Sequence, residues 1–591
     1  MTSLTKLLES SSSRSTVSSS SHNADSLERM LGIELHPEHH VYRAPKTIAQ
    51  DWVVTSGVRY PDGVKKDVYL VNGEFPGPTI ECRSGDRLVI HVTNDLVDKD
   101  ISIHWHGLSM RNANAMDGAV GFTQCPISPG GKFTYEFEIE QTTSGTFWWH
   151  AHSQVQRGDG MYGGLVVHKP ANDETEMSQY GYENEVLLLI GDWYHRSAEE
   201  VLAWYMSVRG FGNEPVPDSL LINGAGRFIC SMAVPARPVE CIDKLPEEMP
   251  GILSKRISGS PIRLRIANVG SLAGFNLRLS SGTLKPLTVD GGCPITATAS
   301  DSVGILYPGE RMDALVMWDG GLDSSEARLH ISLDSENFRY PNPALRINQS
   351  FPIYTNTMTP NSTDEQTLMD WKKPSTHFDL AKATTTTFSP SADMNDTTSI
   401  IPQEADQTIL LYTKTQKLAK FSNHPMGFMN RTSWSPQSSP ALPLISLPRS
   451  SWDANQLIPF IPLPSSTPLW VDLIINNLDD GAHPFHLHGY SFYVLASHRT
   501  SHGWGSYSPY AASGNSAQKP ELNLLNPVRR DTVSVPSHGY VVLRFRADNP
   551  GVWMLHCHVI FHQASGMAMG LLVGGHEMHE VVDAEAKALC G

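Results

Sequence analysis

Four His-x-His pairs constrain this chain more than any other feature: His104/His106, His150/His152, His486/His488 and His556/His558. With 25 histidines in 591 residues, chance supplies about one such pair. In a strand, residues i and i+2 share a face, so each pair presents two imidazoles side by side. That is how a β-protein grips a metal with neutral nitrogen ligands. The sequence near the pairs reads as strand. Phe133, Tyr135, Phe137 and Ile139 alternate with polar residues, and Val541, Leu543 and Phe545 alternate with Val542, Arg544 and Arg546.

Each run follows a Pro/Gly turn, Pro129-Gly130 in one case and Pro536 to Gly539 in the other. A third copy is Pro308-Gly309-Glu310-Arg311 before Met312 to Trp318. A second phrase pairs Leu70-Val71-Asn72-Gly73 with Leu221-Ile222-Asn223-Gly224. Repetition at roughly 200 residues implies three copies of one β-domain. A chain of 591 residues is also too long for one core. Its 40 Pro and 46 Gly suit short strands and turns. The expected layout is a disordered Ser-rich tail over 1–45, domains over 46–170, 180–345 and 406–575, a linker over 346–405, and a C-terminal tail over 576–591. Each domain reads as a β-sandwich, with one helix expected near 196–207.

Composition narrows the partners. The net charge of −16 opposes binding to nucleic acid and to anionic membranes. No run of 18 apolar residues is present, so no spanning helix is expected. Residues 1–31 lack the apolar core of a secretory signal, whereas sequons at Asn348, Asn361, Asn395 and Asn430 point toward secretion. Location stays open between the two.

The most specific segment is His556-Cys557-His558-Val559-Ile560-Phe561-His562, followed by Met567. On a strand Cys557 faces away from His556 and His558, so one strand can serve two metal sites. A thiolate, two imidazoles and a weak axial thioether form a blue-copper donor set. Cys557, His562 and Met567 supply three of these, and His483 should supply the other imidazole. The alternative for Met567 is a core methionine filling a gap. Eight imidazoles remain, too many for one metal and about right for three. Reducing O2 to two waters takes four electrons, which one blue copper and three clustered coppers can store. No dinucleotide fingerprint is evident.

These motifs resemble those of three-domain multicopper oxidases, the family of laccases, ascorbate oxidases and membrane ferroxidases, with a fungal character. The matching segments are His-Trp-His-Gly at 104–107, Trp-His-Ala-His at 149–152, His-Pro-Phe-His-Leu-His-Gly at 483–489, and His-Cys-His-x3-His-x4-Met at 556–567. The resemblance covers about residues 50–575. It implies an all-β fold of three consecutive cupredoxin-like Greek-key sandwiches and four copper ions. His104 and His486 would hold the type 2 ion. His106, His150, His152, His488, His556 and His558 would hold the type 3 pair. His483, Cys557, His562 and Met567 would hold the type 1 ion. The oxygen cluster would lie between domains one and three. Cys557, bonded through the backbone to His556 and His558, would connect the sites, and Asp117 would assist protonation. Many relatives carry an acid where this chain has Ile560, so no second relay is implied there.

The resemblance also implies bridges Cys125–Cys590 and Cys230–Cys241, which would favour an oxidising compartment. Cys82 and Cys293 could pair or stay free. Glu214 and Asp479 fall where membrane ferroxidases place iron-binding acids, with loop acids as the alternative. Those ferroxidases usually carry a membrane anchor and an aliphatic residue in place of Met567. A Met axial ligand implies a lower potential and easily oxidised donors. The expected reaction is laccase-type: four one-electron oxidations of a phenolic donor coupled to reduction of O2 to two waters, by a monomer. A role in secondary metabolism would follow by analogy alone. Ferroxidase and ascorbate oxidase activities are the alternatives. Four intact motifs argue against a passive copper carrier, and the three-domain length against a nitrite reductase.

Overall fold

The computed structural model of the chain describes residues 30–172, 174–244, 249–253, 260–318, 327–354, 376–385, 401–464, 467–500, 503, 505–510, 520–575 and 589–590. Six sheets form, in three pairs along the chain. Residues 47–168 supply two four-stranded sheets, and residues 407–573 a six- and a five-stranded sheet. Residues 184–385 supply a five-stranded and an eight-stranded sheet, the latter joined by Ile33–Glu34.

One wiring recurs in all three units. Thr47–Arg59 runs parallel to Arg87–Asn94, which pairs antiparallel with Lys132–Glu138. Asn184–Trp193, Ile262–Asn268 and Arg311–Met317 repeat that order. Gln407–Lys417, Leu469–Asn477 and Tyr540–Ala547 repeat it again. The last strand of each trio is the one that follows a Pro/Gly turn.

The second repeated phrase is a tight hairpin. Asn72 and Gly73 have φ of 53° and 79°, and Asn223 and Gly224 have 46° and 78°. Two consecutive left-handed residues are what a type I′ turn requires. The asparagine side chain accepts a neighbouring strand's backbone N–H, from Val53 and Leu189 respectively. A third copy sits at Asn430, where Tyr412 N–H is the donor. Arg431 replaces the glycine there, and only Asn430 takes positive φ. Asn430 is thus built into a turn, and Asn348 accepts from Ser332. The sequons at Asn361 and Asn395 lie outside the described residues.

Two expectations need correction. Residues 30–45, assigned to the tail, are folded: Ile33 pairs with Leu187, and Pro37–His39 forms a 3-10 turn. Backbone pairing holds this segment, which carries no long periodic run. Residues 346–405, read as linker, contribute the strands Asn348–Pro352, His377–Asp379 and Thr384–Thr385. Their Thr and Ser are common at sheet edges as well as in loops. The expected helix forms as Ala198–Met206, with Ser197 and Glu200 making a reciprocal cap. Residues 1–29 and 576–588 lie outside the described residues.

The first and third units share one apolar core, and the second has its own. Arg311 joins all three units. Its Nε donates to the Thr146 carbonyl in the first unit, and its two Nη groups donate to Asp531 in the third at 2.5 and 2.6 Å. Both partners are essentially without solvent exposure. Arg311→Ala should therefore cost roughly 3–5 kcal/mol, because it strands buried Asp531 without a counter-charge. Denaturant unfolding of the purified variant checks this.

Candidate metal centre

The two ends of the chain meet at the histidines. His104 and His150 sit opposite each other on Ile103–His106 and Gly145–Ala151. His486 and His556 do the same on His483–Leu487 and Gly551–Cys557. These strand pairs face one another, and Nε2 of His104 lies 3.3 Å from Nε2 of His486. None of the eight imidazoles is more than 6% exposed.

Three donor groups result. His106, His150 and His558 converge, as do His152, His488 and His556, and His104 and His486 converge with His106. Within each group the ligand atoms lie within 4.8 Å of one another. The outward nitrogens are tied down. Nδ1 of His104 faces the Asp117 carbonyl at 2.8 Å, and Nδ1 of His150 and of His556 each face a backbone carbonyl at 2.9 Å. Nδ1 of His486 lies 3.0 Å from the Asp531 carbonyl, and Nδ1 of His488 2.8 Å from Asp117 Oδ2. Such contacts fix tautomer and ring orientation and leave Nε2 free to face inward.

Several inward nitrogens have no partner. Nδ1 of His106, Nε2 of His150 and both ring nitrogens of His558 are buried without a hydrogen bond among the described residues. Orphaned buried nitrogens are costly unless something binds them. Burial, with repulsion from neighbouring cationic groups, drives His106, His150, His152, His556 and His558 well below the usual imidazole range and His488 down to about 3. Neutral imidazoles with unsatisfied nitrogens fit copper.

Asp117 is fully buried between His488 and His104. Burial alone would raise its pKa, but those two imidazoles hold it well below the carboxylate range. Ile560 opens the helix Ile560–Ala564 and is buried, so it offers no acid.

The other face of the Gly551–Cys557 strand builds a separate site. Cys557 Sγ lies 3.6 Å from His483 Nδ1 and 3.5 Å from His562 Nδ1, and those nitrogens are 3.0 Å apart. Met567 is fully buried, and its carbonyl accepts from Cys557 N–H. The outer nitrogens of both imidazoles meet carboxylates: His562 Nε2 is 2.8 Å from Glu214 Oε1, and His483 Nε2 is 3.1 Å from Asp479 Oδ2. Glu214 Oε2 is buried with no hydrogen-bond partner among the described residues. Burial opposes charge on Cys557, yet hydrogen bonds from His483 and His562 outweigh it and bring the thiol down to about 7. Burial likewise opposes charge on His483, but Asp479 and Cys557 raise it to about 9.

The sequence-derived residues therefore fall into two donor regions, with Glu214 and Asp479 at the outer edge of the second. Sequence reasoning missed the supporting charges. Asp531 lies 3.5 Å from both His106 Nε2 and His486 Nδ1, and Arg157 donates to the His558 carbonyl at 2.9 Å. Arg311 was visible as part of a repeated turn, but nothing in the pattern paired it with Asp531. Cys125–Cys590 and Cys230–Cys241 are bridged, and Cys82 and Cys293 are free.

Comparison with known proteins agrees with this geometry. Multicopper oxidase family models match residues 53–172, 184–322 and 453–577. Laccase-1 of Cryptococcus neoformans var. grubii is 31% identical over 88% of this chain and 79% of its own. L-ascorbate oxidase of Brassica rapa subsp. pekinensis is 30% identical, covering 90% of this chain and 93% of its own. The solved structure of Fet3p, described as a multicopper oxidase that functions in iron import, superimposes with a TM-score of 0.75 at 24% identity, over 92% of this chain and 94% of that one. The chain belongs to the multicopper oxidase family. It is an oxygen-using oxidoreductase with cupredoxin-like domains, whose cofactor is four copper ions of types 1, 2 and 3.

In the copper-free protein, the Cys557 thiolate should titrate near pH 7. It should move up toward the ordinary range of about 8.5 in His483→Ala. Thiolate ultraviolet absorbance against pH reads this directly, since burial pushes Cys82 and Cys293 upward.

Proposed function

We propose that this chain oxidises phenolic donors in the manner of a laccase, in four one-electron steps coupled to reduction of O2 to two waters. The observation that supports this reading is Glu214 Oε2, a buried carboxylate oxygen left without a partner beside a ligand imidazole. An incoming phenol O–H would satisfy it. In this reading His483, Cys557, His562 and Met567 hold the type 1 ion, and His104 and His486 the type 2 ion. His106, His150, His152, His488, His556 and His558 hold the type 3 pair.

Copper, when bound, supplies the one-electron carriers and the store of four electrons that O2 reduction needs. The chain's own residues supply the rest. Losing an electron makes a phenol far more acidic, so Glu214 at the donor oxygen takes the proton as the electron leaves. His562 forms the edge of the ligand set nearest that donor. Cys557 is bonded through the main chain to His556 and His558, a short covalent path between the two regions. Asp117 orients His488 and His104. As a carboxylate at working pH, it passes protons on rather than storing them.

The helix Ala198–Met206 carries Tyr205, whose ring lies 6.3 Å from His562. The loop after it exposes Val208 and Phe211 at 63% and 67%. Lys417 Nζ stands 4.7 Å from the Phe211 ring centroid. On the loop that leads to Glu214, these groups would suit an aromatic donor better than a metal cation. Ferroxidase activity is the second reading. Two carboxylates beside the type 1 set are oxygen ligands of the kind Fe(II) prefers. The Cys125–Cys590 and Cys230–Cys241 bridges support a secretory route, and a monomer is the simplest state.

Oxygen uptake by the copper-loaded protein tests the assignment with a dimethoxyphenol, ascorbate and Fe(II) as donors. A phenol kcat/KM at least about tenfold above the others is expected, and an Fe(II) lead would replace this reading with the ferroxidase one. Glu214→Gln should lower phenol kcat/KM on the order of 10²-fold and flatten its pH profile. Cys557→Ser should abolish both the blue absorbance and turnover.

A further inference from the structure

A different donor cluster, sharing no residue with these ligands, lies where the N-terminal segment crosses from the second unit to the first. Glu81 Oε2 is 2.8 Å from His168 Nε2, and Glu81 Oε1 is 3.3 Å from His36 Nδ1. The His40 ring stacks on His168 with centroids 5.0 Å apart. One ligand atom each from His40, Glu81 and His168 lie within 4.8 Å of one another. Glu81 and His168 stand on paired strands, Ile80–Arg83 and Tyr162–His168, so half of the cluster is fixed by a sheet ladder. His36 and His40 flank the turn Pro37–His39. The His36 side chain is 46% exposed, which leaves a route in from solvent.

We propose that His36, His40, Glu81 and His168 form an additional metal site, for a divalent ion of the zinc type, that fastens the N-terminal segment across two units. Imidazoles with one carboxylate are a zinc donor set. Bonds of about 2.0–2.2 Å to a tetrahedral ion set its ligand atoms roughly 3.3–3.5 Å apart. His36 and His168 meet different oxygens of Glu81, at 3.3 and 2.8 Å, so the carboxylate would face the ion with both oxygens or turn to present one. A competitor is present. Arg43 donates to His40 Nδ1 at 3.1 Å and is held in place by Asp86. An ion would displace that guanidinium from His40; His40, Glu81 and His168 already converge, and His36, on the same carboxylate, completes the set.

The location gives the site a mechanical meaning. Leu31 and Leu35 bond the backbone of the second unit at Gly251 and Glu185, while Val41 bonds Ala171 at the end of the first. The cluster lies between those anchors. An ion there closes the strap onto the Ile80–Arg83 strand and restrains the two units relative to each other. Without it, His36 and His168 are joined through hydrogen bonds to Glu81, and His40 through its stack on His168 and its bond from Arg43.

The experiment uses the full copper-loaded chain. Zn(II) is added, excess is removed by desalting, and retained metals are counted alongside the unfolding temperature. One zinc per chain beyond the four coppers and a rise of roughly 3 °C are expected. Both should vanish in Glu81→Gln and in the double variant His36→Gln/His40→Gln, with the blue absorbance unchanged. The double variant alters only the N-terminal segment, so it reads out the site even where Glu81→Gln fails to fold. Failure of the unaltered protein to retain zinc, or an equal thermal shift in the double variant, overturns the proposal.

Discussion

The ion pair between Arg311 and Asp531 is the contact on which the rest of the structure leans. The eight clustered imidazoles come from the first and third units, and the second unit contributes none of them. What the second unit contributes is Arg311, which reaches Thr146 in the first unit and Asp531 in the third. Asp531 in turn stands 3.5 Å from an imidazole of each contributing unit. A buried guanidinium tolerates such a place because it is planar and multidentate and keeps its charge. The neighbouring backbone is shaped to let it pass. Gly107 has φ of 92°, and a Cβ there would come within 2.4 Å of an Arg311 Nη. The glycine that ends the first His-Trp-His-Gly motif thus makes room for a charge from another unit.

Around this junction the two donor regions have opposite electrostatics. Burial and mutual repulsion press seven of the eight clustered imidazoles toward the neutral form, with Asp117 and Asp531 as the nearby anions. The Cys557 region gathers three potential anions, Glu214, Asp479 and the thiolate, about two imidazoles. In the absence of copper the second region draws protons onto His483 and His562. Copper would take over that positive charge. One strand, Gly551–Cys557, separates the two environments by nothing more than its alternation of faces.

Much of this was legible in the chain. The His-x-His pairs, the Pro/Gly turns and the alternating runs are local signals, and local signals survive in one dimension. The threefold wiring followed from two repeated phrases, because each marks a defined strand and a defined turn. Three things did not read out. Arg311–Asp531 joins residues 220 positions apart, and neither has a periodic neighbour to betray it. The third hairpin uses Asn430-Arg431, so a search for Asn-Gly passes over it. The segment 30–45 folds by backbone pairing to Leu187 and by contacts with Glu81, which composition cannot register beside a Ser-rich stretch. The strands inside 346–405 were hidden for the same reason.

The carboxylates at the outer nitrogens also bear on the donor. Each one raises the basicity of its imidazole and favours the more positive, oxidised state of the ligand set. That reduces the pull on an electron. Such a site works with donors whose oxidation is helped at the moment of transfer. For Fe(II) the help is coordination of the ferric product, which requires both acids to turn toward the ion. Asp479 Oδ2 accepts from Thr415 N–H and lies on His483, and Glu214 Oε1 lies on His562, so each acid has one oxygen engaged at the Cys557 site. Under the proposed laccase reading the help for a phenol is one base at the departing proton, the role that reading assigns to Glu214. In that reading a donor O–H that reached Glu214 Oε2 would recover the cost of about 1–3 kcal/mol for burying an unpaired acceptor.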